Sequence, residues 1–266
     1  MQVVSVVDRV GALAVSVLES VGALASFGAR AIVDAFKPPY EPVAILRHLL
    51  QFGTRSAPLI AISGFAIGVV LSMHTRATLA RFGAEAMIPS GLALALVRET
   101  GPLTTGLLVS GRVGAGIGAE IGAMRVTEQI DALEANAVDA FKFLVVTRMI
   151  ACMIAMPLLT TMMNFAGIFG GYVAEAAVSG MPWRLYFERS FLYLAYADLI
   201  PATLKTIVFG YLIAVVASYL GFTTSRGTEG VGEASTRSVV VASILIILSD
   251  VILVKIIFFF YPQVPA

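Results

Sequence analysis

Five uncharged or nearly uncharged runs, at roughly Ala57 to Met73, Met87 to Val109, Met149 to Ala174, Thr206 to Thr224 and Val239 to Phe260, are each long enough to cross about 30 Å of hydrocarbon. Inside lipid no water can satisfy backbone N–H and C=O groups, so each run must bond them within itself, and the helix is the form that does so. A soluble chain of 266 residues could hardly cover its surface at 58% hydrophobic and 13% charged residues, with a mean hydropathy of +0.91. The sequence therefore predicts an all-α integral membrane protein, a single domain over residues 1–266 with spans at 57–75, 87–118, 141–175, 200–224 and 235–261.

Polar groups between the spans give the chain its direction. In residues 1–37, Asp8, Ser16, Glu19, Ser26, Arg30, Asp34 and Lys37 recur at near-helical spacing against Val, Leu and Ala, the pattern of a helix lying in the membrane interface. A competing reading makes Val10 to Ala29 a true span with one buried glutamate. Pro38 and Pro39 end this helix, and a short charged connector with Glu41, Arg47 and Arg55 follows. If the N-terminal side is cytoplasmic, the inner segments hold ten cations, Arg30, Lys37, Arg47, Arg55, Arg112, Arg125, Lys142, Arg148, Arg226 and Arg237. The outer segments hold five, Arg76, Arg81, Arg184, Arg189 and Lys205, a bias that favours the N-terminus inside and the C-terminus outside. Residues 182–198 mix Trp183, Tyr186, Phe187, Tyr193 and Tyr196 with Arg184, Glu188, Arg189 and Asp198, and read as an amphipathic helix at the outer interface.

Several function classes are excluded early. A net charge of +1 offers no broad basic face for nucleic acid. One cysteine, Cys152, cannot build a disulfide or a thiolate metal site within the chain, and His48 and His74 form no HExxH pattern. Asp8, Arg9 and Glu19 interrupt the N-terminal apolar stretch, so no cleaved signal peptide is expected.

The densest polar and glycine-rich stretch runs from Gly111 to Ala140. Gly106, Ser110, Gly114, Gly118 and Gly122 recur every four residues, so they line one helical stripe and let another backbone come close. No strand precedes these glycines and no GxxxxGK[ST] occurs, which argues against a nucleotide loop. Beyond the stripe, Glu120, Arg125, Glu128, Asp131, Glu134 and Asp139 alternate with Val126, Ile130, Leu133 and Ala137 at helical spacing, predicting an amphipathic helix over 120–136 that could dock into a partner's groove. Asp139 is placed to cap the next span. Arg98 and Glu99 in the second span, and Asp250 and Lys255 in the fifth, are charges where charge is costly. Neighbours in sequence point about 100° apart on a helix, so Arg98 and Glu99 should meet other groups, with Lys205 and Asp250 as candidates for one intramembrane charge network.

Arg98-Glu99-Thr100-Gly101-Pro102, Gly111-Arg112-Val113-Gly114, Ala119-Glu120-Ile121-Gly122-Ala123-Met124 and Thr127-Glu128-Gln129-Ile130-Asp131-Ala132-Leu133, in this order and spacing, closely resemble the MlaE/YrbE permease family. The likeness extends to Asp198 and Lys205, to Glu229-Gly230-Val231-Gly232 with Thr236-Arg237, and to Asp250, covering essentially the whole chain. It implies the membrane subunit of an MCE-type ABC transporter for phospholipids or related lipids in the inner membrane. The implied partners are a second copy of the chain, a cytoplasmic ABC ATPase, an MCE-domain substrate-binding protein, a small STAS-type regulatory subunit in some assemblies, and membrane lipid. The chain itself is then no enzyme and binds no cofactor or metal, ATP and magnesium being held by the ATPase. That subunit would dock on Glu120, Arg125, Glu128, Gln129, Asp131 and Glu134.

Leu71, Thr75, Thr78, Leu79 and Phe82 share one face of the first span and, with Arg98 and Glu99, are the expected lipid contacts. Two positions depart from the family: Asp139-Ala140 stands where Asp-Pro is common, and Thr147-Arg148 where Pro-Arg is common. Both losses relax how sharply the third span must start, because proline fixes φ in a first turn. The rival reading is an ion-coupled secondary transporter or channel using Arg98, Glu99, Asp250 and Lys255.

Overall fold

The computed structural model describes the backbone of residues 2–225 and 227–260. The side chains of Asp8 and Arg9, all of Arg226 and residues 261–266 lie outside the described residues. The elements are α1 (Gln2–Ala35), α2 (Pro42–Leu79), α3 (Ile88–Ala95), α4 (Gly101–Val109), α5 (Ala115–Val126), α6 (Gln129–Ala135), α7 (Thr147–Ser179), α8 (Trp183–Leu192), α9 (Tyr196–Phe222) and α10 (Gly227–Phe260). Among the described residues five helical stretches are long and apolar enough to cross a membrane: Pro42–Phe82, Glu85–Val126, Lys142–Ser179, Tyr196–Phe222 and Gly227–Phe260.

The first span starts well before residue 57. Pro42 sits in the first turn of α2, where its fixed φ suits a helix and its missing N–H costs nothing, so the stretch expected as a connector forms the opening turns with Arg47 and Arg55 exposed. Gly227 likewise opens α10, so the fifth helix begins ahead of the span expected from residue 235. The amphipathic helix expected at the outer interface over 182–198 is shorter than that. It stops at Leu192, and Asp198 instead serves α9, its carboxylate accepting the backbone N–H of Ala195 at 3.1 Å.

The second span is wound from three α segments joined by π turns at Leu96–Thr100 and Ser110–Gly114. The ring of Pro102 would strike the carbonyl of Arg98 in an unbroken α-helix, and the first π turn relieves that clash. Another π turn, Lys142–Val146, opens the third span, which lacks the proline that would have fixed its first turn. There the carboxylate of Asp139 caps the start, receiving the backbone N–H of Lys142 at 3.0 Å.

Two small-residue seams set the packing. Along α10 the buried positions are Gly230, Ala234, Ser238, Ala242, Ile246 and Asp250, one every four residues. They meet the glycine stripe of the second span head to tail: Gly122 lies against Ala234, Gly118 against Ser238 and Gly106 against Ile246, while the Ser110 and Ser243 hydroxyls share a hydrogen bond of 2.9 Å. Between α2 and α7 the approach is closer still. A Cβ on Gly68 would fall on the carbonyl of Gly167, and one on Gly170 on the carbonyl of Phe65. The sequence stripe pointed to the first seam; Gly64, Gly68, Gly167 and Gly170 form the second.

The C-terminal half of α1 is tied to the ends of spans three and four nearest α6. Phe27 packs edge-on against Phe141 at 5.0 Å and Tyr219 at 5.4 Å, and the Arg30 guanidinium lies 4.0 Å above the Phe141 ring.

Candidate functional site

Alternating span directions bring the C-terminal ends of spans one and five together with the N-terminal ends of spans two and four, all at the end of the molecule away from α6. A cavity of about 850 Å³ opens among them. Its apolar wall comes from Leu79, Met87, Leu94, Val254, Ile257 and Phe258, and its charged wall from Arg98, Glu99, Asp198 and Lys205. That volume is in the upper part of the range in which sites enclose small organic ligands.

The charged wall is a relay across three spans. Lys205 on α9 is sealed from solvent, and its ammonium stands 2.9 Å from Glu99 in the second span and 2.9 Å from Asp250 on α10. The small-residue seam delivers Asp250, because this residue is the last step of the same four-residue stripe. Arg98 turns to Asp198, with N–O distances of 2.7 and 2.9 Å. Adjacent charges therefore find different partners: of the four residues expected to form one network, Glu99, Lys205 and Asp250 form one group, while Arg98 pairs with Asp198. Asp198 stood out in the sequence through the family likeness and its place among aromatic residues, but its pairing with Arg98 was not expected, since its helix could not be told from α8.

Of the expected lipid contacts, Leu79, Arg98 and Glu99 line the cavity. Leu71 packs instead against the small core of Leu92, Ala93, Leu96, Ile168 and Tyr186, and Thr75 is half-buried. Thr78 is exposed and donates to the His74 carbonyl of its own helix. Phe82 is exposed, because α2 ends at Leu79 and a 3-10 turn closed by left-handed Gly83 carries the chain off the extrapolated face.

At the other end, the predicted docking helix is divided. The second span continues to Val126, Glu128 takes a left-handed φ of 57°, and α6 occupies only Gln129–Ala135 before Ala137, again left-handed at 59°. Non-glycine residues seldom hold that conformation, and a short helix bracketed by two of them marks a spot where packing dictates geometry. Ile130 is the buried anchor, while Glu128, Gln129, Asp131 and Glu134 are exposed. Arg125 bonds Asp131 at 2.7 Å across the bend. Glu120 belongs to α5 and meets the buried Arg148 of span three at 2.8 Å. A smaller cavity, about 290 Å³, lies beside this end between Thr223, Thr224, Ser225, Glu233 and Arg237.

A further buried pair escaped the sequence reading. Glu175 on α7 receives the Ser72 hydroxyl at 3.0 Å and the Arg76 guanidinium, clamping spans one and three near their ends away from α6. Among the described residues no group of three His, Cys, Asp or Glu side chains is placed to hold a metal ion.

The helices thus line a cavity at one end and carry a short helix between two left-handed residues at the other. The family described as Permease MlaE matches residues 45–256, and the chain belongs to that family. A probable ABC transporter permease protein of Rickettsia typhi is 38% identical over 254 residues, spanning 96% of this chain and 98% of that protein. The intermembrane phospholipid transport system permease protein MlaE of Haemophilus influenzae is 33% identical over 220 residues, 80% of this chain and 82% of that protein. The chloroplastic protein TRIGALACTOSYLDIACYLGLYCEROL 1 of Arabidopsis thaliana is 32% identical over 208 residues, 78% of this chain and 59% of that protein. The protein is thus a multi-pass membrane permease of the ABC transporter class.

Proposed function

We propose that the protein moves phospholipids or related lipids between the inner and outer membranes, driven by ATP hydrolysis on a separate subunit. The observation that carries this reading is the cavity of about 850 Å³, apolar on one wall and charged on the other, as an amphiphile requires. The name of the Haemophilus relative points to the same cargo.

The permease sits in the inner membrane with its N-terminus in the cytoplasm, an orientation supported by the two-to-one excess of Lys and Arg on that side. Two copies pair, an MCE-domain protein receives lipid above the cavity, and ATP and magnesium reside on the ATPase. The α6 segment takes the thrust of that ATPase. Its anchor Ile130 and its bracketing left-handed residues fix a rigid acidic knob, from which Glu128, Gln129, Asp131 and Glu134 project. Glu120 serves the knob indirectly by fixing spans two and three through Arg148.

Purification in mild detergent with its neighbours, followed by mass spectrometry of proteins and lipid, tests the reading. Stoichiometric lipid and a co-purifying ATPase are expected, with Glu128→Lys or Asp131→Lys releasing the ATPase. Lipid carried down an ion gradient by the permease alone would overturn it.

A further inference from the structure

Spans two and three meet along a ladder of close contacts. A Cβ on Gly171 would crowd the side chain of Leu92, one on Gly167 that of Leu96, and one on Gly101 would fall on the side-chain oxygen of Asn164. The two spans run in opposite directions, so the next rung, four residues up one helix and four down the other, sets Thr105 beside Thr160. Apolar rungs thus give way to polar ones at Gly101, where the π turn Leu96–Thr100 ends. Thr105 and Thr160 are fully buried, and Asn164 is 4% exposed. Among the described residues neither hydroxyl has a hydrogen-bond partner, and neither do the oxygen and nitrogen of the Asn164 amide. Other threonines of span three return their hydroxyls to the carbonyl four residues back, Thr147 to Phe143 at 2.6 Å and Thr161 to Pro157 at 2.9 Å.

We propose that internal water joins spans two and three at these two rungs, and that this wet contact is the hinge on which the cavity wall at Arg98 and Glu99 moves. The polar atoms left without partners are an amide nitrogen that donates, an amide oxygen that accepts and two hydroxyls that do both, an unfavourable set to leave bare in hydrocarbon. Water donates and accepts alike, and a buried molecule makes about three hydrogen bonds, so about one or two would satisfy the set. A cation would suit the oxygens and be repelled by the Asn164 N–H groups. Hydrogen bonds through water are exchanged one at a time, which lets two helices shift without baring a polar group. The rungs lie between the cavity charges at Arg98 and Glu99 and the glycine seam that begins at Gly106. The water site is independent of the lipid reading, whereas its role as a hinge rests on that reading.

The test needs no variant at first. Cryo-electron microscopy of the intact transporter complex, fine enough to resolve water, should show solvent density within about 2.7 to 3.2 Å of the Asn164 amide and of at least one of the two hydroxyls. Thr105→Val combined with Thr160→Val then keeps the shape of both side chains and removes both hydroxyls. The double variant should lose that density and slow ATP-driven lipid transport about five-fold, the scale of one hydrogen bond, with the ATPase still bound. Absence of the density in the wild type overturns the water site, as does a melting temperature that rises with sodium but not with potassium, the mark of a bound ion. Density in the wild type with transport unchanged in the double variant overturns the hinge and leaves the water. No lipid transport by the wild type overturns the lipid reading instead, and the density still decides the water site.

Discussion

The ammonium of Lys205 stands 2.9 Å from the carboxylate of Asp250, with both side chains almost sealed from solvent, and so joins the fourth span to the fifth. Removing one member strands the other, at a typical cost of about 3 to 5 kcal/mol, whereas an apolar pair of similar volume can be neutral. Lys205→Met should therefore lower the thermal midpoint in detergent sharply. Lys205→Met combined with Asp250→Leu should recover most of that loss, and a double variant no better than the single one would contradict the pairing.

Near α6 the two ion pairs should differ in weight. Arg148 is 3% exposed at its side chain, so Glu120→Ala takes away the carboxylate that its guanidinium donates to and leaves it the Leu144 carbonyl, and about 2 to 3 kcal/mol of stability should be lost. Arg125 and Asp131 are 42% and 57% exposed, and Arg125→Ala should cost below about 0.5 kcal/mol. Parallel unfolding curves of the two variants measure the contrast.

Glycines of the two kinds should also separate. Gly68→Leu drives a side chain into the backbone of Gly167, and the protein should fail to accumulate in the membrane. Nothing lies within 4 Å of a Cβ on Gly116, so Gly116→Ala should be accepted and gain up to about 1 kcal/mol from helix propensity. Membrane yield and melting temperature report both.

Left-handed Glu128 predicts an inverted substitution pattern. Glycine has no Cβ to oppose that conformation, so Glu128→Gly should slow hydrogen exchange over residues 125–138, by about five-fold for 1 kcal/mol of relieved strain. Glu128→Val should hasten it. The opposite order would show that the bend is not strained.

The spans were legible because lipid imposes one rule on long apolar runs, and the glycine stripe because its period of four survives in the bare sequence. Helix ends were not. Arg47 and Arg55 looked like a connector, yet charged residues continue a helix readily once Pro42 has started it, and Asp198 could not be divided from α8 without seeing the turn after Leu192. The charge network was legible in membership, since Glu99, Lys205 and Asp250 are polar residues in apolar runs, but the partner of Arg98 depended on where α9 begins. Phe82 lies off the cavity that Leu79 lines, because a helical wheel has no way to register the 3-10 turn after the helix.

The π turns at Leu96–Thr100 and Ser110–Gly114 each hold one more residue than an α turn of equal reach. They act as phase shifters. Between them lie Gly101–Val109, so the angle between the cavity charges and the face that Gly114, Gly118 and Gly122 present is set by these extra residues. Deleting one residue from the first π turn would restore α geometry and leave the two halves of the span in phase, whereas deleting one from Gly101–Val109 would rotate them against each other by about 100°. Between the two turns a single-codon deletion is therefore a change of aim, which aligns either the charged wall or the glycine seam but never both.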